Sequence, residues 1–441
     1  MFLIFLSLIL KQINPVMKHS STQNPFNIIV IVASLGYFVD IYDLILFQVI
    51  KNPSLESMGL SGQSLTDAGY NLMNWQMIGM LTGGILWGIL GDRKGRISVL
   101  FGSIILYSIA NIMNAFVSDL GTYAWLRFIA GVGLAGELGA GITLVSETMT
   151  KEKRGYGTMI VVSFGVLGAV AANLVARNGD YFSGMFSHFT DRPFSGWQIA
   201  YIFGGILGIL LLLLRIGMYE SGMYKSMHEV KISRGNFFKL FSTKKSAVKY
   251  LCCIAIGIPI WYMIGVLIAS AKDITALKGI NAVSTGNAVM YFYLGTSFGD
   301  FMSGYLSQVF ENRKKIILLY LLITVVAVPV YLLSSGISSV TFYFICAFLG
   351  IASGYWAVFV TIASEQFGTN IRSTVTTTVP NFVRGSLVLL TLLLNLLRKN
   401  MHFNLVTSCV IVGSISIVIA FIALANLDET YGKNLDYFES I

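Results

Sequence analysis

The chain has 441 residues, 55% of them hydrophobic and only 12% charged, with a mean hydropathy of +0.73. A water-soluble domain devotes about a quarter of its residues to charge. Half that share leaves too little polar surface for a soluble particle and makes a bilayer the natural solvent. The net charge of +9 would suit nucleic acid, but the basic residues lie in short connections rather than on one face, which favours membrane topology and excludes a nucleic-acid partner.

Residues 1–25 read as an N-terminal leader. Within it Phe2 to Leu10 is apolar but too short to span, and no basic region precedes it, so it makes a poor signal peptide. Met17 is an alternative start to Met1. A helix needs about 20 apolar residues to cross a bilayer. Twelve such stretches follow: 26–50, 70–90, 97–117, 121–145, 156–177, 198–218, 247–270, 284–308, 316–335, 340–363, 374–397 and 404–426. No alternating ten-residue barrel pattern appears, and helices satisfy their backbone internally. The polar, basic segment 219–246 is a central linker. It separates the halves 26–218 and 247–426, and residues 427–441 form a tail. The expected fold class is an all-α membrane protein with twelve transmembrane helices in two pseudo-symmetric six-helix bundles.

Lysine and arginine set the orientation. With both termini inside, 21 of these 30 residues fall at the inner side and 7 at the outer side. Arg127 and Arg384 remain within the membrane. Both termini are therefore expected in the cytoplasm, with the chain in the cell's inner membrane. Cys252, Cys253, Cys346 and Cys409 sit in apolar runs without metal-ligand or redox spacing and read as small core residues. The histidines fall in polar connections. No metal site or cofactor is expected.

The halves echo one another. Ser146-Glu147 is followed by Arg154, and Ser364-Glu365 by Arg372, with the same spacing and at the inner end of the fourth helix of each half. Tyr219-Glu220-Ser221 after the sixth helix matches Asp428-Glu429-Thr430 after the twelfth. Parallel repeats about an axis along the membrane normal suit a machine that rocks around a central site.

The run from Gly88 to Arg96 reads GILGDRKGR and contains Gly88, Asp92, Arg93, Gly95 and Arg96. Its glycines permit tight turns, and Asp92 is placed to meet a helix N-terminus or a basic side chain. In this loop the pattern resembles the major facilitator signature, which in that family helps hold one face of a transporter shut. The equivalent run from Gly304 to Lys315 is a degenerate copy without the aspartate. Glu147, Arg154, Glu220, Glu365, Arg372 and Glu429 resemble the sugar-porter pattern of glutamates and arginines that latch the two halves. Exposed pairs of this kind contribute about 0–1 kcal/mol each, which suits latches that must open.

The first helix carries Asp40 and Asp43, three residues apart and on one face. The fourth carries Arg127 and Glu137. A charge at bilayer depth costs about 2.5–3.5 kcal/mol on insertion scales, so these side chains need water or a partner. The arrangement resembles proton-coupled symporters of sugars, phosphate and organic anions. The resemblance implies that Asp43 carries the proton, that Arg127 tunes it, and that Glu137 lies near the substrate. The alternatives are a static buried pair and, for Asp40, a cap at the outer end of the pathway. In the second half Arg384 needs an anion, either Asp300 or the substrate itself. The latter would favour a carboxylate or phosphate. Trp261, Tyr262, Trp356 and Asn381 either line the site or pack the helices. The expected function is secondary active transport by a monomer: proton-coupled symport of a small polar metabolite, an organic anion, a sugar or phosphate, by alternating access. The rival readings are an exporter of the same fold and a substrate sensor that no longer transports. No phosphate-binding loop or catalytic cluster suggests an enzyme.

Overall fold

The computed structural model describes residues 27–186, 194–216 and 235–439. Twelve long helices run through it in the predicted order. The first half holds α1 (Ile28–Glu56), α2 (Gly62–Lys94), α3 (Arg96–Asn114), α4 (Leu120–Thr148), α5 (Arg154–Arg177) and α6 (Gly196–Leu214). The second holds α7 (Lys244–Ile268), α8 (Thr285–Val309), α9 (Arg313–Leu333), α10 (Ser339–Glu365), α11 (Arg372–Lys399) and α12 (Leu405–Ala425). Among the described residues, ten of these are long and apolar enough to cross a membrane. The other two, α2 and α8, have the length, about 50 and 37 Å at 1.5 Å per residue. Glycine and polar residues dilute their apolar character.

The ends follow capping chemistry rather than hydropathy. Asn27, Asp119, Ser284, Asn312, Ser338 and Asn404 each accept a hydrogen bond from the backbone N–H three residues on. At Asp119 that bond from Thr122 holds the carboxyl below its ordinary range. The predicted outer connection 51–69 shrinks because α1 runs through Pro53 and α2 starts at Gly62, both beyond the apolar windows. A short helix, Gly179–Phe186, fills part of the predicted loop 178–197.

The exterior is apolar and the interior polar. Leu389, Phe298, Leu322 and Ile422 are exposed, whereas Asp40, Asp43, Arg127, Asp300 and Arg384 are buried. This inversion suits lipid outside and a polar pathway within.

Two helix pairs use glycine to bring backbones together. A Cβ at Gly131 of α4 would strike the Gln76 carbonyl of α2, and one at Gly350 of α10 would strike the Phe292 carbonyl of α8. These pairs occupy equivalent places in the two halves, and small residues are what close packing in lipid demands. Gly350→Val should therefore push α8 from α10. Overpacking of this kind costs about 1–3 kcal/mol. Thermal melting in detergent should fall by several degrees, and an unchanged melting point would refute the close contact.

The fourth helix of each half is broken. α4 divides at Ala135-Gly136 into Leu120–Leu134 and Glu137–Thr148. α10 divides at Gly354-Tyr355 into Ser339–Ser353 and Trp356–Glu365. A break at membrane depth frees backbone groups that neighbouring helices must satisfy. Here α11 and α8 do so. Asn381 donates to the Ala135 carbonyl at 2.9 Å, and Asp300 accepts from the Ala357 N–H at 2.9 Å.

Candidate functional site

The basic end of the bundle is shut by a symmetric charge cluster. Gly95 has φ of +101°, a conformation that favours glycine, and it turns the chain from α2 into α3. Gly88 sits where a Cβ would lie 2.9 Å from the Thr374 Cα, so α2 and α11 touch. Asp92 then caps α11, accepting from the N–H groups of Ser373 and Thr374 at 3.0 and 2.9 Å and from the Thr374 hydroxyl at 2.7 Å. Arg96 pairs with Glu147 at 2.7 Å and lies 3.7 Å from Asp92. Arg93 and Lys94 are exposed.

Glu147 also pairs with Arg372 of the other half at 3.2 Å. Its repeat mate Glu365 pairs with Arg313 of its own half at 3.4 Å and with Arg154 of the other half at 3.9 Å. The two Glu-to-Arg echoes therefore interlock crosswise, each glutamate meeting the arginine of the opposite copy. Gln308 replaces the missing aspartate and donates to the Glu152 carbonyl just before α5. Along the seam, hydroxyl faces hydroxyl: Thr143 with Thr376, Thr158 with Thr361 at 2.7 Å, and Ser146 with Ser364 at 3.4 Å.

The tail straps this end. Arg372 donates to the Leu435 carbonyl at 2.6 Å and Arg154 to the Lys433 carbonyl at 3.1 Å. Lys433 itself is half-buried, and burial, followed by nearby Lys249, lowers its pKa. Glu429 does not join the two halves. It caps α9, accepting from the N–H groups of Arg313 and Lys314 at 3.0 and 2.9 Å. Glu220 lies outside the described residues.

Near the middle of the helices, between the halves, lies a cavity of about 30 Å³. That is space for little more than water. Its walls include Tyr37 of α1, Trp261 of α7, Tyr293 and Thr296 of α8, Trp356 of α10 and Arg384 of α11. Arg384 pairs with Asp40 of α1 at 3.3 Å, and its guanidinium lies 5.9 Å from the Trp356 ring centroid. Arg384 Nε and Trp356 Nε1 have no hydrogen-bond partner among the described residues. Both residues line the cavity and both atoms are donors, which suits an acceptor-rich guest.

Some expected site residues serve elsewhere. The anion beside Arg384 is Asp40, because Asp300 is committed to the α10 break. Asn381 is committed to the α4 break, with its Oδ1 3.5 Å from Arg384. The Tyr262 hydroxyl donates to the Cys409 carbonyl at 2.7 Å and so turns toward α12. Glu137 does not face the cavity either. It forms a two-pronged buried ion pair with Arg215. Arg215, at the end of α6, turns inward. The available signal was its place directly after a leucine run, a depth at which charge needs a partner.

Arg127 makes no ion pair with Asp43. It donates to Gln76 and, at 3.5 Å, to the Tyr201 hydroxyl, and it stacks 4.7 Å from the Phe47 ring centroid. Asp43 is buried against Gly204 of α6, and neither of its oxygens has a hydrogen-bond partner among the described residues.

This architecture has known counterparts. A proton:xylose symporter, XylE, superposes with a TM-score of 0.72 at 18% identity, covering 92% of this chain and 97% of its own. NiaP of Bacillus subtilis (strain 168), a candidate niacin/nicotinamide transporter, is 28% identical over 80% of this chain and 84% of its own length. The sialic acid transporter NanX of Escherichia coli (strain K12) is 22% identical over 70% of this chain and 71% of its own length. Residues 33–380 match the model of one family. With its twelve helices, its two echoing halves and its gate motif, the chain belongs to the Major Facilitator Superfamily of membrane transporters.

Proposed function

We propose that the protein is a proton-coupled symporter of a small organic anion, in particular a compact aromatic carboxylate. It works by alternating access in the inner membrane, with the basic gate and both termini facing the cytoplasm. The observation that carries the substrate class is Arg384. It is a buried guanidinium lining a cavity between the halves, walled by aromatic rings. Its Nε and the Nε1 of Trp356, which also lines the cavity, are both donors without a partner among the described residues. An Arg fork recognises a carboxylate by paired hydrogen bonds, and indole and phenol rings hold a flat apolar body. The names of two relatives give niacin and nicotinamide for one and sialic acid for the other, and niacin and sialic acid are carboxylates. The shut gate and the small cavity fit a contracted state, so loading requires the halves to part. A carboxylate of α1 supplies the proton acceptor.

The test is a flux screen. Purified protein is placed in liposomes holding a pH-sensitive dye. Nicotinate, nicotinamide, phosphate, sialic acid and xylose are then added singly under an inward proton gradient. The expected result is proton entry with nicotinate and none with its uncharged amide. Entry driven by xylose alone would overturn the anion reading, and movement of labelled nicotinate without protons would overturn symport.

A further inference from the structure

Resting on the anion reading above, we infer that Asp40 and the carboxylate of the substrate are alternative counter-ions of Arg384, and that this exchange couples the proton to the anion. The pair joins the halves, since Asp40 belongs to α1 and Arg384 to α11. It is held by one contact of 3.3 Å, longer than the usual charge-assisted bond. The second oxygen of Asp40, Oδ1, has no hydrogen-bond partner among the described residues. Arg384 lines the cavity, and its Nε has no hydrogen-bond partner among the described residues. The site thus holds one cation, one loosely held internal anion, and an open position beside both.

Charge balance then dictates the order of events. A second anion cannot join Arg384 while Asp40 is ionised, because two carboxylates would share one buried guanidinium. Asp40 cannot take up a proton alone, because Arg384 would be left buried without a counter-ion, which is costly. The two occur together. Asp40 Oδ1 accepts a proton, the Asp40–Arg384 bond breaks, and the guanidinium bonds the incoming carboxylate. One proton and one monoanion enter, and the net charge of the site stays the same. On release the anion leaves, the proton leaves Asp40, and the pair re-forms across the halves.

Other charges surround the pair without replacing it. Glu137 of α4 acts on Asp40 from a distance and is committed to Arg215. Tyr37 on α1 and Tyr293 of α8 feel the charges of both members, and Tyr107 of α3 feels that of Asp40. Asp43 is the neighbouring carboxylate on α1, and Asp300 of α8 lies near Tyr37. Of the two α1 carboxylates, only Asp40 touches Arg384.

The experiment measures nicotinate and nicotinamide binding to the purified full chain across pH, together with proton-driven accumulation and counterflow exchange in liposomes. The wild type should lose nicotinate affinity about tenfold per pH unit above the apparent pKa of Asp40, as one-proton linkage requires. Asp40→Asn mimics the protonated acid. It should bind nicotinate independently of pH and exchange it, yet fail to accumulate it. Asp40→Ser carries the same expectation and gives a second variant should asparagine not fold. Asp43→Asn should retain the pH-dependence of binding. If Asp40→Asn keeps the wild-type pH profile, or if Asp43→Asn loses it, the exchange is overturned while the anion reading stands. A wild type that binds nicotinamide as tightly as nicotinate at every pH overturns the anion reading and the exchange with it.

Discussion

Arg384→Gln should reduce nicotinate uptake about 100-fold and nicotinamide binding far less. Arg384 is buried and is the cation paired with Asp40. Without the guanidinium the bound carboxylate has no charge partner, and truncating one member of a buried charge pair between binding partners costs about 2–5 kcal/mol. Every 1.4 kcal/mol is about tenfold in affinity, so the middle of that range is a loss of about 100-fold or more. The same variant should melt at a lower temperature because Asp40 is stranded. The double variant Asp40→Asn/Arg384→Gln should recover much of that stability without recovering uptake, since neither charge remains. A double-mutant cycle separates the two effects. If uptake of both solutes falls equally, the arginine is a packing element and the anion site lies elsewhere.

The second large effect should come from Glu147→Gln. Arg96 and Arg372 are fully buried and both pair with Glu147. With glutamine there, two buried guanidinium groups from opposite halves lose their shared carboxylate and repel one another. Because Arg372 belongs to the opposite half, separation of the halves at the basic end relieves that repulsion. In a background with Ser146→Cys, labelling by a water-soluble maleimide from the basic side should quicken at least tenfold. Ser146 lies on the seam, 3.4 Å from Ser364, so its exposure reports the gate directly. Glu365→Gln should act the same way, since Arg313 and Arg154 stand to Glu365 as Arg96 and Arg372 stand to Glu147. Slower melting-curve recovery with unchanged labelling would make the cluster structural cement rather than a gate.

Much of this was legible in the sequence for definite reasons. Helices that must cross lipid are written in apolar runs; ten of the twelve carry that signature plainly, and α2 and α8 carry it diluted by glycine and polar residues. Their ends could not, because Gly62 and Pro53 lie in polar continuations where capping governs. The gate motif was readable because Asp92, Gly95 and Arg96 act within one turn of each other. The crosswise pairing of Glu147 with Arg372 was not, since the repeat shows matching copies but not which copy meets which. Asp300 and Asn381 invited a binding role as polar residues at membrane depth. Their actual duty depends on the breaks at Gly136 and Gly354, and periodicity does not reveal a broken helix. The Asp40–Arg384 pair joins residues 344 positions apart, and no local pattern carries that information.

The seam of facing hydroxyls has a consequence for how easily the gate can cycle. Thr143, Ser146 and Thr158 on one side, and Thr376, Ser364 and Thr361 on the other, hold each other through O–H groups that water can replace one for one. An apolar seam of the same area would resist hydration each time it parted and would adhere on closing. A hydroxyl seam exchanges one hydrogen bond for another of similar strength. The barrier to parting therefore resides in the few charges around the seam, and the surfaces between them are lubricated by the solvent that floods in.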